Sequence, residues 1–191
     1  MFAAACVSGI QSVRMMSRKL FLAAIIAAGA VVRVDAADWR WESVGLRYGI
    51  SASSFNSILQ QSEAFGRLDL PWHWDFAEHW RLQTRLDASV GWLGGRGDSG
   101  VVGALGPSLA IKHEHFPIEF EAGSSPTLLS RDRFGNTDFG IPFQFTSFLG
   151  LSADIGKRWG AGYRFQHMSN AGLGSDNPGL NMQMFSVRYR F

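Results

Sequence analysis

Near the end of the chain, His167 and Ser169 lie two residues apart within the segment HMSNAG (167–172). A serine hydroxyl is a weak nucleophile until a base removes its proton, and histidine is the usual base. Alternate residues of a β-strand share one face, so the two side chains come within reach of each other if this segment is extended. The spacing therefore indicates nucleophilic hydrolysis by a serine that a histidine activates.

The remaining parts of such a site have candidates in the residues that follow. A third group must hold the imidazole in the correct tautomer. Asn181 is the preferred candidate, and the alternatives are a site without a third residue and Asp176 in that role. The tight turn after Ser169 can aim N–H donors at a developing oxyanion. The side-chain amide of Asn170 and the backbone N–H of Gly172 are predicted for that role.

The segments around this motif alternate between apolar and polar residues with a period of two, which predicts β-strands. The clearest one has apolar residues at most even positions from Trp80 to Trp92 and polar or charged residues at odd positions from Arg81 to Ser89. Eight such segments can be traced, with irregular ones near 38–50 and 101–112. They predict an all-β fold, an eight-stranded antiparallel transmembrane β-barrel of the bacterial outer membrane with a salt-bridged interior.

The parity of the last two predicted strands places the chemistry on the outside of the barrel. His167 and Ser169 share the odd positions of Trp159 and Phe165, and Asn181 shares the odd positions of the final strand. Polar side chains that face lipid cost free energy unless they have a use. The three residues are therefore predicted to form one functional patch at the depth of the outer leaflet.

Both ends of the chain indicate export to a membrane. Arg18 and Lys19 precede an apolar run at 20–32, which is too short to span a bilayer as a helix. Residues 1–36 are predicted to be a signal peptide cleaved after Ala36, with residues 1–14 as an upstream extension. Residues 37–191 are predicted to be a single barrel domain, ending on Phe191 as outer-membrane barrels do. Its outer loops are expected near 51–64, 94–100, 125–139 and 170–180.

Charge and cysteine content argue against other classes of protein. Residues 1–36 contain four of the 18 Lys and Arg residues but one of the 16 Asp and Glu residues. The remainder is close to neutral, so the pI of about 9.0 does not indicate binding of nucleic acid. Cys6, the only cysteine, lies in the predicted signal peptide. His113 and His115 flank Glu114, but the sequence shows no partner cluster, and neither a metal nor another cofactor is expected.

The motif His-x-Ser-Asn-Ala-Gly at 167–172, followed by Asn-Pro-Gly at 177–179, resembles the lipid A 3-O-deacylase (PagL) family of eight-stranded outer-membrane hydrolases. The close match covers residues 167–181, and the barrel pattern and signal peptide extend it more weakly. The resemblance implies His167 as base, Ser169 as nucleophile and lipid A of the outer leaflet as substrate. It implies cleavage of the ester-linked 3-hydroxyacyl chain at position 3 without a metal. The family has Glu where this chain has Asn181, whose neutral amide can orient the imidazole but cannot stabilise its positive charge.

The expected function is therefore modification of lipid A in lipopolysaccharide at the outer membrane. An outer-membrane phospholipase is one alternative, because phospholipids also offer esters near the interface, and only the family resemblance favours lipid A. A non-enzymatic small outer-membrane barrel is the other, and it would have no use for a lipid-facing His–Ser pair. No nucleic-acid partner is expected, and a homodimer is left open.

Overall fold

The computed structural model describes residues 39–52, 58–95 and 97–191, and this part of the chain forms ten β-strands. They are β1 (Arg40–Ser51), β2 (Gln60–Phe76), β3 (Trp80–Gly95), β4 (Asp98–His113), β5 (Ile118–Leu129), β6 (Arg133–Phe134), β7 (Thr137–Asp138), β8 (Phe143–Ile155), β9 (Trp159–Ser169) and β10 (Leu180–Arg190). The predicted signal peptide, residues 1–36, lies outside the described residues. Within the described ranges, no helix is long and apolar enough to cross a membrane.

Eight of the strands close into a barrel in the order β1-β10-β9-β8-β5-β4-β3-β2, and the short strands β6 and β7 form a separate hairpin. Every neighbouring pair in the barrel is antiparallel. Because β1 pairs with both β2 and β10, each long strand of the described chain has two neighbours. The predicted eight-stranded antiparallel barrel is confirmed.

The apolar positions of the strands face outward, away from the barrel interior. In β9, Trp159, Tyr163 and Phe165 are exposed, whereas Arg164 and Gln166, at alternate positions, are buried. Each of the eight long strands keeps at least one large apolar side chain exposed in the same way. A water-soluble barrel would have the opposite arrangement, with its charged side chains on the outside. The exterior is the apolar belt that the sequence predicts.

Ion pairs fill the half of the interior that lies toward the short turns. Arg85 donates to both carboxylate oxygens of Glu119, at 2.8 and 3.0 Å, and Arg188 donates to the same carboxylate at 3.0 Å. Arg67 donates to Glu121 at 2.7 Å in the same network. All of these side chains are buried. The predicted salt-bridged interior is confirmed in this half of the barrel.

Removal of one charge from this network should weaken the whole barrel. We expect Glu119→Gln to lower the free energy of unfolding by about 3–5 kcal/mol, because Arg85 and Arg188 lose the buried counter-charge that they share. Urea unfolding of the folded protein in detergent measures the change. Glu78→Gln is the matched control, since the side chain of Glu78 is 89% exposed. Equal stability of the two variants would contradict a structural role for the network.

The other half of the interior contains an apolar cluster, which the sequence analysis did not predict. The connection between β5 and β8, residues 130–142, turns inward, and its Phe134 and Phe139 are buried with ring centroids 6.0 Å apart. Eight more side chains complete this cluster: Leu59, Leu93, Val102, Leu129, Met168, Leu180, Met182 and Met184. Four of these belong to β9 and β10, so the cluster holds the two strands that carry the predicted site.

The three connections at one end of the barrel are short, and most of those at the other end are longer. The short ones are residues 77–79, 114–117 and 156–158, and the connections at the opposite end are 52–59, 96–97, 130–142 and 170–179. The loops predicted at 51–64 and 94–100 were too long, because β2 begins at Gln60, β3 continues to Gly95 and β4 begins at Asp98. The irregular parity near 38–50 corresponds to a register shift in β1 between Trp41 and Ser43.

Candidate active site

The ends of β9 and β10 nearest the long connections place His167 and Asn181 side by side. The two residues are direct partners in the antiparallel register. His167 is exposed and Asn181 is half-buried, whereas their neighbours Met168 and Met182 are 2% and 0% exposed. Because side chains alternate between the two faces of a strand, burial of the methionines in the apolar cluster turns both polar residues outward.

A hydrogen bond joins the two polar side chains. His167 Nδ1 lies 2.8 Å from Asn181 Oδ1. An amide oxygen can only accept, so Nδ1 carries the proton and donates it. Nε2 then keeps its lone pair, which is the state in which an imidazole acts as a general base. Asn181 thus fixes the tautomer as the third member of a catalytic triad does, but without a negative charge.

Gly179 makes room for the imidazole. Its φ is +63°, a left-handed conformation that glycine adopts without steric cost. A Cβ atom at this position would lie 2.9 Å from His167 Cε1 and 3.6 Å from Nε2. The ring therefore lies against the backbone just before β10.

Ser169 is the last residue of β9 and shares the outward face of His167, where it is half-buried. In the part of the chain that the structure describes, its hydroxyl is not hydrogen-bonded to the imidazole, whose Nδ1 binds Asn181. Two positions along a strand correspond to about 6.6 Å. Catalytic hydrogen bonds are often long in ligand-free enzymes and tighten with substrate. The placement suits a nucleophile that pairs with its base once substrate is bound.

A second serine, Ser147, lies beside the histidine and was missed by the sequence analysis. It faces outward on β8 as the direct register partner of His167, and its hydroxyl is 3.0 Å from that of Ser124 on β5. Its outward parity among Phe and Leu residues was a visible signal. The link to His167 depends on the register between β8 and β9, which alternation alone does not fix.

Asn170 is buried in the loop and does not face the imidazole. Its Nδ2 donates to the carbonyl oxygens of Phe139 at 2.9 Å and Asp176 at 2.6 Å, and its Oδ1 accepts from the Gly172 N–H at 2.8 Å. Asn side chains readily bond to the backbone two residues further on, which explains this arrangement. Both donors predicted for the oxyanion are therefore engaged within the loop, and this geometry does not supply them to a substrate.

Asp176, the alternative third residue of the triad, lies away from the imidazole. Its carbonyl oxygen accepts from Asn170, and its exposed carboxylate accepts from the Ser175 hydroxyl at 3.3 Å. The structure brings Asn181 to His167 and leaves Asp176 as part of the loop's own framework.

The connection between β5 and β8 packs against the loop of residues 170–179. The Asp138 carboxylate binds the Arg133 guanidinium and accepts from the Gly140 N–H at 2.9 Å. These contacts, with Arg133 as the larger cause, hold the pKa of Asp138 below its ordinary value. Gly140 has φ +78° and lies so close to the backbone of Asp176 that a Cβ atom would not fit. The loop of residues 170–179 is thus tied to the folded interior of the barrel.

Fold and site together define a class of protein. The barrel has an apolar exterior, and one rim carries an imidazole held by an amide with serine hydroxyls beside it. An imidazole and hydroxyl groups are side chains that an ester hydrolase can use, and here they lie on the outside of a β-barrel and face away from its interior.

Comparisons with known proteins give the family. The family model described as lipid A 3-O-deacylase (PagL) matches residues 62–190. The lipid A deacylase PagL of Bordetella bronchiseptica is 31% identical over 126 residues, which cover 63% of this chain and 70% of that protein. The crystal structure of the outer membrane enzyme PagL shares the fold, with a TM-score of 0.64 at 19% identity, over 77% of this chain and 99% of that one. The chain belongs to the lipid A 3-O-deacylase (PagL) family and is an ester hydrolase.

Proposed function

We propose that this protein removes the ester-linked 3-hydroxyacyl chain at position 3 of lipid A, with Ser169 as nucleophile, His167 as general base and Asn181 as the residue that orients the base. The observation that carries the proposal is the 2.8 Å hydrogen bond between His167 Nδ1 and Asn181 Oδ1 on the outer face of the barrel. Family membership supports lipid A as the substrate over a phospholipid.

The barrel's surface supports a location in the outer membrane. A closed barrel satisfies all of its backbone hydrogen bonds internally, and its apolar belt can face hydrocarbon. His167 and Asn181 lie near the ends of their strands, close to the rim, and not in the middle of the belt. A polar group costs less free energy near the interface than at the bilayer centre, and the esters of a lipid also lie near the interface. A site near the rim thus suits a substrate whose esters lie near the interface.

The proposed reaction proceeds through an acyl-enzyme. His167 Nε2 takes the proton of the Ser169 hydroxyl as Ser169 Oγ attacks the ester carbonyl carbon. The resulting tetrahedral intermediate collapses, and the sugar oxygen leaves with the proton from His167. Water then attacks the acyl-Ser169 carbonyl as His167 takes a proton from it. The second tetrahedral intermediate collapses, His167 returns the proton to Ser169 Oγ, and a 3-hydroxy fatty acid is released. Stabilisation of the oxyanion by Asn170 and Gly172 remains a prediction, and it requires both donors to give up their bonds within the loop.

Mass spectrometry of lipid A tests the proposed function. Cells that make this protein should contain lipid A lighter by one 3-hydroxyacyl chain at position 3, whereas cells without it should not. The purified protein should release the same 3-hydroxy fatty acid from lipid A in mixed micelles. Release of fatty acid from phospholipid alone would replace the proposed substrate, and release from neither lipid would favour a non-enzymatic barrel.

Gly179 offers a test of the imidazole's position. We expect Gly179→Ala to lower kcat about 10²-fold, because the new methyl group would displace the ring on which proton transfer depends. The measurement is steady-state deacylation by the folded barrel. Gly156→Ala is the matched control: Gly156 also has positive φ, at +68°, but nothing lies within 4 Å of a Cβ built there. The control carries the backbone strain without the collision, so equal activity of the two variants would contradict the assigned ring position.

A further inference from the structure

The turns at the opposite end of the barrel bring together side chains that ligate metals. His79 closes the turn between β2 and β3, and Glu114 and His115 lie in the turn between β4 and β5. One ligand-type atom from each of the three lies within 4.8 Å of the others. In the sequence, His113 and His115 flank Glu114, but no further metal-ligating cluster is visible nearby. The fold supplies a partner in His79, 35 positions earlier in the chain.

The backbone holds this cluster together. The Glu114 N–H donates to the His79 carbonyl oxygen at 2.9 Å, which joins the two turns directly. The Glu114 carboxylate lies 3.1 Å from His79 Nδ1. The three donors therefore stay close without an ion, and binding one would cost little reorganisation of the backbone.

The two imidazoles have nearly the spacing of rings that share an ion. The ring centroids of His79 and His115 are 4.6 Å apart. Two imidazoles bound to one tetrahedral zinc, with Zn–N distances of about 2.0–2.1 Å, have ring centres about 5 Å apart. All three side chains are exposed, so small rotations can bring their ligand atoms to bonding distance.

We propose that His79, Glu114 and His115 form a binding site for a divalent transition-metal ion of the zinc class. Two imidazoles and a carboxylate are a donor set that zinc takes, with water in the fourth position. Calcium and magnesium prefer all-oxygen sites, so the imidazoles select against them. The ion would clamp the two turns to each other.

The neighbours of the site support this assignment. His113 Nδ1 accepts from the His115 N–H at 3.1 Å, and its ring packs edge-on against Trp80 at 4.9 Å. His113 therefore contacts the backbone of His115 and is not counted among the ligands. Arg81 donates to both carboxylate oxygens of Asp75, at 2.6 and 3.0 Å, so the nearest guanidinium has its own counter-charge and leaves Glu114 to the imidazoles.

Isothermal titration calorimetry with zinc chloride tests the proposal. The protein is folded into detergent without a histidine tag, treated with a chelator and dialysed. We expect one zinc per chain, and we expect His79→Ala and His115→Ala each to weaken binding at least about 10-fold. Cobalt offers a second readout, since a tetrahedral site with nitrogen ligands gives an intense visible absorption that both variants should lose. His73→Ala removes another exposed histidine from the same end of β2 and should bind zinc as the unaltered protein does.

Two results would overturn the metal site: no zinc binding by the unaltered protein, or unchanged binding in both ligand variants. Deacylation measured on the same samples separates this proposal from the proposed function, because the two sites lie at opposite ends of the barrel. The ligand variants should keep full deacylation activity, and a failure of the lipid A assay would leave the zinc titration unaffected.

Discussion

Replacing Ser169 with alanine is expected to lower the deacylation rate by at least about 10³-fold while the barrel still folds. Loss of the nucleophile from a serine hydrolase removes the covalent route, and only binding and polarisation of the ester remain. The side chain is half-buried at the end of β9 and is not a member of the apolar cluster, so its loss should not affect folding. The measurement is release of 3-hydroxy fatty acid from lipid A, with a heat-modifiability gel to show that the barrel is assembled.

Ser147→Ala is the matched control for this variant. Ser147 is also an outward-facing serine next to His167. It lies on the neighbouring strand β8, whereas Ser169 lies on the same strand as His167. Because Ser169 is the proposed nucleophile, the Ser147 variant should keep activity close to that of the unaltered protein. If Ser147→Ala removes activity and Ser169→Ala does not, the nucleophile is Ser147 and the proposed mechanism is wrong.

Replacing Asn181 with glutamate is expected to raise kcat by about 10-fold. A carboxylate at this position would accept from Nδ1 as the amide does and would also stabilise the imidazolium that forms in the transition state. In the serine-protease triad, the reverse change from acid to amide costs about 10⁴ in rate, and the smaller gain expected here reflects the solvent exposure of His167. Asn181→Leu, which removes the acceptor altogether, should lower kcat about 10²-fold.

Gln183→Glu provides the control for added charge. Gln183 faces outward two residues further along β10 and pairs with Phe165, away from the imidazole. It should leave the rate unchanged, so a rise confined to Asn181→Glu would come from the contact with His167. A loss of activity in Asn181→Glu with the barrel intact would contradict the role given to Asn181.

The barrel could be predicted from the sequence because its signal is repeated. Eight segments alternate with period two, and each of them contributes to the same conclusion. Strand ends were less certain, because polar residues such as Gln60 and Ser62 continue β2 past the apolar belt. The apolar cluster inside the barrel could not be predicted from the sequence. Phe134 and Phe139 come from a connection whose inward fold depends on contacts across the barrel and not on local pattern.

The candidate site was predicted in part, and the division has a physical cause. His167, Ser169 and Asn181 could be placed on one outward patch, because parity within a strand and the adjacency of two consecutive strands are enough for that. Asn170 and Gly172 were given donor roles from their types alone. Their hydrogen bonds to the loop depend on a backbone path that no periodic pattern encodes. Ser147 and His79 were missed because the residues beside them lie on another strand or turn, and the sequence alone does not show that pairing.

Under the proposed function, the outward orientation of His167 means that substrate reaches the enzyme from the side of the barrel. A site on the barrel wall draws on molecules that diffuse laterally in the same leaflet, so the encounter rate depends on their surface density instead of their concentration in water. In mixed micelles, the rate at a fixed total amount of lipid should therefore fall as inert detergent dilutes the substrate within each micelle. The released fatty acid would also enter the leaflet directly, without passing through the aqueous phase.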